Sequence, residues 1–231
     1  MFGPIPPFPA RAVVFDLDGT LVDSEHLWGV AEAQVVTELG ASFTPALKAA
    51  MFGLGPHEAA TALARYCGRE DIDAVERLLQ HTAYEVITAN VQPRRGAAAL
   101  LDGLHGRIPV GVATNSRRPL ATASLHAVGF ADLIDVVVTA DDVDRAKPDP
   151  APYATACALL GVAANETVAF EDSPVGVESA RQAGCWVIGC PAPDAAPLAA
   201  ADGNVTDLDD VHAEALLAGA VSAPARRGVA G

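Results

Sequence analysis

Four stretches of this sequence carry side chains suited to handling a phosphoryl group. Asp16 and Asp18 fall in Asp16-Leu17-Asp18-Gly19-Thr20; Thr114, Asn115 and Ser116 are consecutive; Lys147 precedes Pro148; and Glu171 is followed by Asp172. A carboxylate such as Asp16 can attack phosphorus and form an acyl phosphate, which divides one slow displacement into two faster ones. Its charge also repels a phosphate dianion, so the site needs positive charge beside it. Asp16, Asp172 and the main-chain carbonyl of Asp18 offer the hard oxygens that Mg²⁺ prefers, and Glu171 would bind or orient one of its waters. Lys147 would neutralise the remaining anionic charge, while Thr114, Asn115 and Ser116 with nearby N–H groups would hold phosphate oxygens. Asp18 stands just before the turn at Gly19, placed to protonate the leaving oxygen and then to take a proton from water. Any one of these groups has an ordinary structural explanation, since Asp, Thr, Asn and Ser commonly cap helices or make turns. Four together call for a shared one.

The surrounding pattern says what must position them. Short apolar runs at 12–16, 108–114, 135–139, 167–171 and 185–189 read as buried parallel strands, and helical stretches at 96–105, 117–128, 150–160 and 174–183 separate them. Strand–helix alternation of this length predicts an α/β fold, a parallel sheet covered by helices on both faces. Open sheets of that kind carry their sites beyond the C-terminal strand ends, which is where the four groups fall. Residues 24–91 break the rhythm. Helical periodicity runs over 25–39, 57–66 and 71–89 with no good strand, far more chain than a crossover needs. The expected organisation is therefore a Rossmann-like core over 11–23 and 92–218 with an inserted all-helical cap over 24–91, joined by hinges near residues 23–24 and 92–93. Residues 1–10 and 219–231 are expected to be a flexible leader and tail.

FDLDGTLVDS, TNS, KP and ED resemble, in order and spacing, the four signature motifs of the haloacid dehalogenase-like hydrolases. The likeness runs from about Arg11 to Val211. It implies a first strand at the centre of the sheet, a cap that closes over substrate, Mg²⁺ as cofactor, and the roles assigned above on charge grounds. Within that superfamily, LVDSEHLW and EDSPVGVESARQAG are most similar to the branch with sugar-phosphate phosphatases and β-phosphoglucomutase. The implied activity is hydrolysis of a small phosphorylated metabolite through an aspartyl-phosphate. A phosphomutase is the alternative, and a non-catalytic binding module on the same fold stands third. Dehalogenase and phosphonatase chemistry also occur in the superfamily, but typically without an acid at the position of Asp18.

Composition narrows the partners. A net charge of −14 repels nucleic acid and anionic membrane surfaces, although a small site can still be locally positive. Lysine occurs only as Lys48 and Lys147. The four scattered cysteines form no CxxC pair and read as small buried hydrophobes. MFGPIPPFPA lacks the basic and apolar regions of a signal peptide, and no apolar run approaches the roughly 18 residues that span a bilayer. A cytoplasmic monomer is the expectation. The six histidines show no metal-ligand spacing, and only His26, with Trp28, falls where a cap would face the core.

Overall fold

The computed structural model describes residues 4–192 and 195–219. The described strands are β1 (Ala12–Phe15), β2 (Val110–Ala113), β3 (Val136–Val138), β4 (Thr167–Glu171), β5 (Trp186–Gly189) and β6 (Gly203–Asn204). They form one parallel sheet in the order β3-β2-β1-β4-β5-β6. The chain builds outward from β1 to β2 and β3, then returns to lay β4 on the other side of β1. That reversal opens a crevice at the C-terminal ends of β1 and β4.

Burial explains the strands. Successive side chains alternate between faces, and both faces are covered. Val13, Phe15, Val112, Phe170 and Ile188 enter one core cluster, while Val14, Ala113, Val138, Ala169 and Val187 enter another on the opposite face. Phe15 and Phe170 are register partners and stack with ring centroids 4.8 Å apart. The next residue on each strand is Asp16 or Glu171, so this apolar pair lies directly beneath the site.

Between β1 and β2 come α1 (Glu25–Glu38), α2 (Pro45–Met51), α3 (Pro56–Tyr66), α4 (Ile72–Asn90) and α5 (Ala97–Leu104). The first four surround their own apolar cluster, which includes Val35, Leu47, Leu63 and Leu79, while Leu27, Ala83 and Ile87 join the core beneath the sheet. Local capping sets two of the starts. Thr44 accepts the Leu47 N–H at 3.2 Å, and Asp71 accepts that of Ala74 at 2.9 Å. The helix α2, only seven residues long, is too short for its period to be read from sequence. The segments that enter and leave this insert run antiparallel and are tied together, with Asp23 N–H to Gln92 O and Arg94 N–H to Leu21 O both at 2.8 Å.

The remaining helices are α6 (Arg118–Ala127), α7 (Ala151–Leu160), α8 (Pro174–Ala183) and α9 (Ala213–Ala218). The whole is the Rossmann-like α/β architecture expected from the sequence. One end differs from expectation. Residues 4–10 lie against the core instead of trailing free of it, because Phe8 packs on the apolar cluster and the Ala10 N–H donates to Leu216 O at 2.9 Å. Residues 220–231, most of the expected tail, lie outside the described residues, as do residues 1–3. No described helix is long and apolar enough to cross a membrane.

Removing one ring of the Phe15–Phe170 stack leaves a cavity in a fully buried layer. Phe170→Ala is expected to cost about 3–5 kcal/mol in urea unfolding. A loss below about 1 kcal/mol would mean that the layer repacks.

Candidate active site

The register of β1 and β4 brings the first and last of the expected acids together. The Asp16 N–H donates to Phe170 O at 2.9 Å, which leaves Asp16 and Glu171 side by side where the two strands end. Lys147 reaches between them from the loop before α7. Its Nζ donates to Asp16 Oδ1 at 2.7 Å and to Glu171 Oε1 at 2.5 Å, and the ammonium is almost wholly buried. Tyr153, in the first turn of α7, donates its hydroxyl to the same Glu171 oxygen at 2.8 Å and lays its ring 4.9 Å from the Lys147 nitrogen. The other Glu171 oxygen accepts from the Ser173 hydroxyl at 3.2 Å and its N–H at 3.4 Å. Ser173 also caps α8 through the Gly176 N–H, at 3.0 Å. A Cβ on Gly176 would come within 1.9 Å of the Glu171 carboxyl, so a side chain there would displace the acid.

Asp172 completes the cluster. One carboxylate oxygen from each of Asp16, Glu171 and Asp172 lies within 4.8 Å of the others. The turn at Gly19, with φ of +80°, lets Asp172 come close; a Cβ there would sit 2.1 Å from its Oδ2. Among the described residues, no donor forms a hydrogen bond to the Asp172 carboxylate. Burial pushes Asp172 well above the usual carboxylate range, and the charges of Asp16 and Glu171 push it further. Burial likewise raises Asp16 to about 8 against the pull of Lys147. For Lys147, burial works against the charge, but Asp16 and Glu171 outweigh it and hold the ammonium above its ordinary range. Three crowded carboxylates, one of them without a donor, share a single ammonium. That donor set suits a hard divalent cation, whose charge would return the acids to their ionised form.

Asp18 points to a second set of partners. Its Oδ1 accepts from the Ser24 hydroxyl at 2.6 Å and the Trp28 indole N–H at 3.0 Å, and its Oδ2 from the Ser116 hydroxyl at 2.6 Å. Two of these donors come from the start of the insert and one from the loop after β2. Asn115 has a bridging position as well. Its amide oxygen accepts the Lys147 N–H at 2.9 Å, and its nitrogen donates to Gly53 O at 3.2 Å and to Lys147 O at 3.3 Å. Thr114 Oγ1 accepts the Ser116 N–H at 3.0 Å. The side chains of Asn115 and Ser116, expected to touch phosphate, are therefore engaged in fixing Lys147 and Asp18.

A cleft of about 750 Å³, its open mouth included, connects these groups. Asp16, Asp18, Thr114, Asn115, Ser116, Lys147 and Asp172 all line it, while Glu171 lies behind them. The insert roofs it with Trp28, Met51, Phe52 and Leu79, and contributes Glu25, Glu32 and Lys48. His26 is turned outward, exposed beside Asp23 at 3.5 Å. Sequence reasoning missed Tyr153, Ser24 and Ser173. A tyrosine in the otherwise small, apolar helix after Lys147 is a usable signal in hindsight, whereas the serines read equally well as caps.

The haloacid dehalogenase-like hydrolase family matches residues 13–190. A validoxylamine A 7'-phosphate phosphatase of Streptomyces hygroscopicus subsp. limoneus is 36% identical over 205 residues, covering 87% of this chain and 96% of its own length. A phosphoglycolate phosphatase of Rhodospirillum rubrum is 40% identical over 193 residues, covering 77% and 78%. A β-phosphoglucomutase of Bacillus subtilis is 26% identical over 215 residues, covering 89% and 93%.

The raised Asp16 has a thermodynamic consequence. Between its ordinary value of 3.8 and about 8, the folded protein holds a proton on Asp16 that the unfolded chain has released. Stability from this group therefore falls as pH rises across that window. In thermal melts with chelator present, Asp16→Asn should gain on the wild type between pH 5 and pH 8. An identical pH slope for the two proteins would contradict the assignment.

Proposed function

The chain belongs to the haloacid dehalogenase-like hydrolase family, and on that premise we propose that it is a Mg²⁺-dependent phosphatase of a small sugar or polyol phosphate, acting through an aspartyl-phosphate. The observation that carries this reading is the Asp16 carboxylate at the end of the central strand, one oxygen on Lys147 and acids on either side, facing a cleft roofed by the insert. In the first step Asp16 attacks phosphorus and the bond to the leaving oxygen breaks, with Asp18 giving that oxygen a proton. In the second, water attacks the acyl phosphate, Asp18 takes the water's proton, and Asp16 is released with inorganic phosphate. Asp16, Asp172 and the carbonyl of Asp18 would hold Mg²⁺, which when bound neutralises the crowded carboxylates and the phosphate oxygens. Lys147 balances the charge that remains, with Glu171 and Tyr153 fixing its position. Thr114 and backbone N–H groups at the strand ends receive the phosphate oxygens, while Asn115 and Ser116 keep Lys147 and Asp18 in place.

In this reading residues 24–91 form a cap that closes over the substrate and excludes water, and residues 11–23 and 92–218 form the catalytic core. The net charge of −14 supports a small substrate over nucleic acid, and a soluble monomer. The names of the relatives span validoxylamine A 7'-phosphate, phosphoglycolate and a β-phosphoglucomutase, so they leave the leaving group open. The mutase reading requires a cap with cations free for a second phosphate. Gly53 is flanked by Phe52, with Pro56 close by, neither of which pairs with an anion. Lys48 is occupied by Glu25 and Glu32, 2.6 and 3.3 Å away. That pairing favours the hydrolase.

Phosphate release from monoesters should require Mg²⁺ and cease in excess chelator; full activity without a divalent ion would sink the metal assignment. Asp16→Asn should show no detectable turnover, because uncatalysed monoester hydrolysis is slower by up to ~10²¹. Given β-glucose 1-phosphate with a trace of the 1,6-bisphosphate, the protein should liberate phosphate. Rapid formation of glucose 6-phosphate instead would identify a mutase.

A further inference from the structure

Away from Asp16, where the insert walls the cleft, three charged side chains stand that the phosphoryl chemistry above does not use. Glu25 and Glu32 are seven residues apart on α1, two turns, and so share a face. Lys48 of α2 reaches over that face. Its Nζ lies 2.6 Å from Glu25 Oε1 and 3.3 Å from Glu32 Oε2, and donates to the Glu25 main-chain oxygen at 3.5 Å. All three line the cleft beside the Trp28 ring, with Met51 and Leu79 completing an apolar wall.

The group is not self-sufficient. Two carboxylates against one ammonium leave one negative charge in excess. Glu32 is only 5% exposed, and Glu25 Oε1 and Glu32 Oε2 share the one Lys48 ammonium, which meets neither at a good hydrogen-bonding angle. Burial raises the pKa of both acids despite the pull of Lys48. Two carboxylates that share one ammonium keep acceptor capacity to spare, which a ligand hydroxyl would use. A ligand bringing a second anion meets net repulsion and must compete with two carboxylates for Lys48.

We propose that Glu25, Lys48 and Glu32 form the subsite that reads the leaving group, accepting neutral vicinal hydroxyls and selecting against a second anionic group. The proposal rests on the phosphatase reading and narrows it to monophosphates of neutral polyols. The hydroxyls donate to the two carboxylates and accept from Lys48, while the C–H face of the polyol lies against the Trp28 side of the wall.

The test measures kcat/KM for glucitol 6-phosphate and 2-phosphoglycolate, with p-nitrophenyl phosphate as a general phosphatase probe, in the wild type, Glu32→Gln and Lys48→Met. The wild type should prefer glucitol 6-phosphate to 2-phosphoglycolate by about tenfold or more, or about 1.4 kcal/mol. Glu32→Gln keeps the shape but removes the excess charge, and should shrink that preference about tenfold. Lys48→Met, which removes the cation paired with Glu25 and Glu32, should widen it. Both substrates are turned over by one preparation, so a folding defect lowers both rates and leaves their ratio alone. If 2-phosphoglycolate equals or outpaces the polyol phosphate, or if Glu32→Gln leaves the ratio unmoved, the subsite proposal is overturned while the phosphatase reading stands. If none of the three compounds is hydrolysed, the phosphatase reading falls and the proposal with it.

Discussion

The contact between the Lys147 ammonium and the Asp16 carboxylate, 2.7 Å long and almost closed to water, sets the terms for the rest of the chain. Taking ions out of water costs several kcal/mol each, and Coulomb attraction offsets that cost only where geometry and further hydrogen bonds are good. The fold supplies both. Tyr153 and Ser173 donate to Glu171, Glu171 accepts from Lys147, and Asn115 holds the lysine's own main chain. The apolar Phe15–Phe170 layer gives these polar groups a firm floor. What stays unbalanced is a cluster of three acids around one ammonium, with no donor on Asp172 among the described residues, and that imbalance suits the site to a cation.

The same contacts connect the insert to the core. Asp18 takes donors from Ser24 and Trp28 on one side and Ser116 on the other. Asn115 donates to Gly53 O, and Arg117 pairs with both Glu76 of α4 and Asp141 of the core. Arg117, the arginine directly after the Thr-Asn-Ser run, is thus an ion-pair partner across the boundary and not a ligand in the cleft. The group proposed to move the proton is therefore positioned in part by the element proposed to cover the substrate. A shift of that element would alter the surroundings of Asp18, so on the proposed reading closure would also tune the proton carrier.

Much of this was legible in the sequence, for identifiable reasons. A buried parallel strand needs a run of small or branched apolar residues, so AVVFD and TVAFE announce both the strand and the acid at its end. The helical periodicity of 71–89 anticipates α4, observed at Ile72–Asn90. Elements that depend on neighbours were not legible. Strand β6 has two residues and exists because it pairs with β5, and α2 has a single capped start and under two turns. The Pro-rich residues 4–10 carry no pattern that distinguishes packed from free chain; the apolar surface beside α9 decides it.

The sequence by itself determined which chemical groups stand at which strand ends, because strand periodicity and the four motifs are local properties of the chain. Only the tertiary structure decided how those groups divide the work. Asn115 and Ser116 hydrogen-bond Lys147 and Asp18, partners that no local pattern names, and Tyr153 joins the site from a helix face that sequence marks only as buried. Likewise, Lys48 becomes the partner of Glu25 and Glu32 once α2 lies across α1. The reason is one of range. Propensity and periodicity act over a turn or a strand, whereas the pairing of buried charges spans up to 131 residues of chain and depends on distances that folding alone sets.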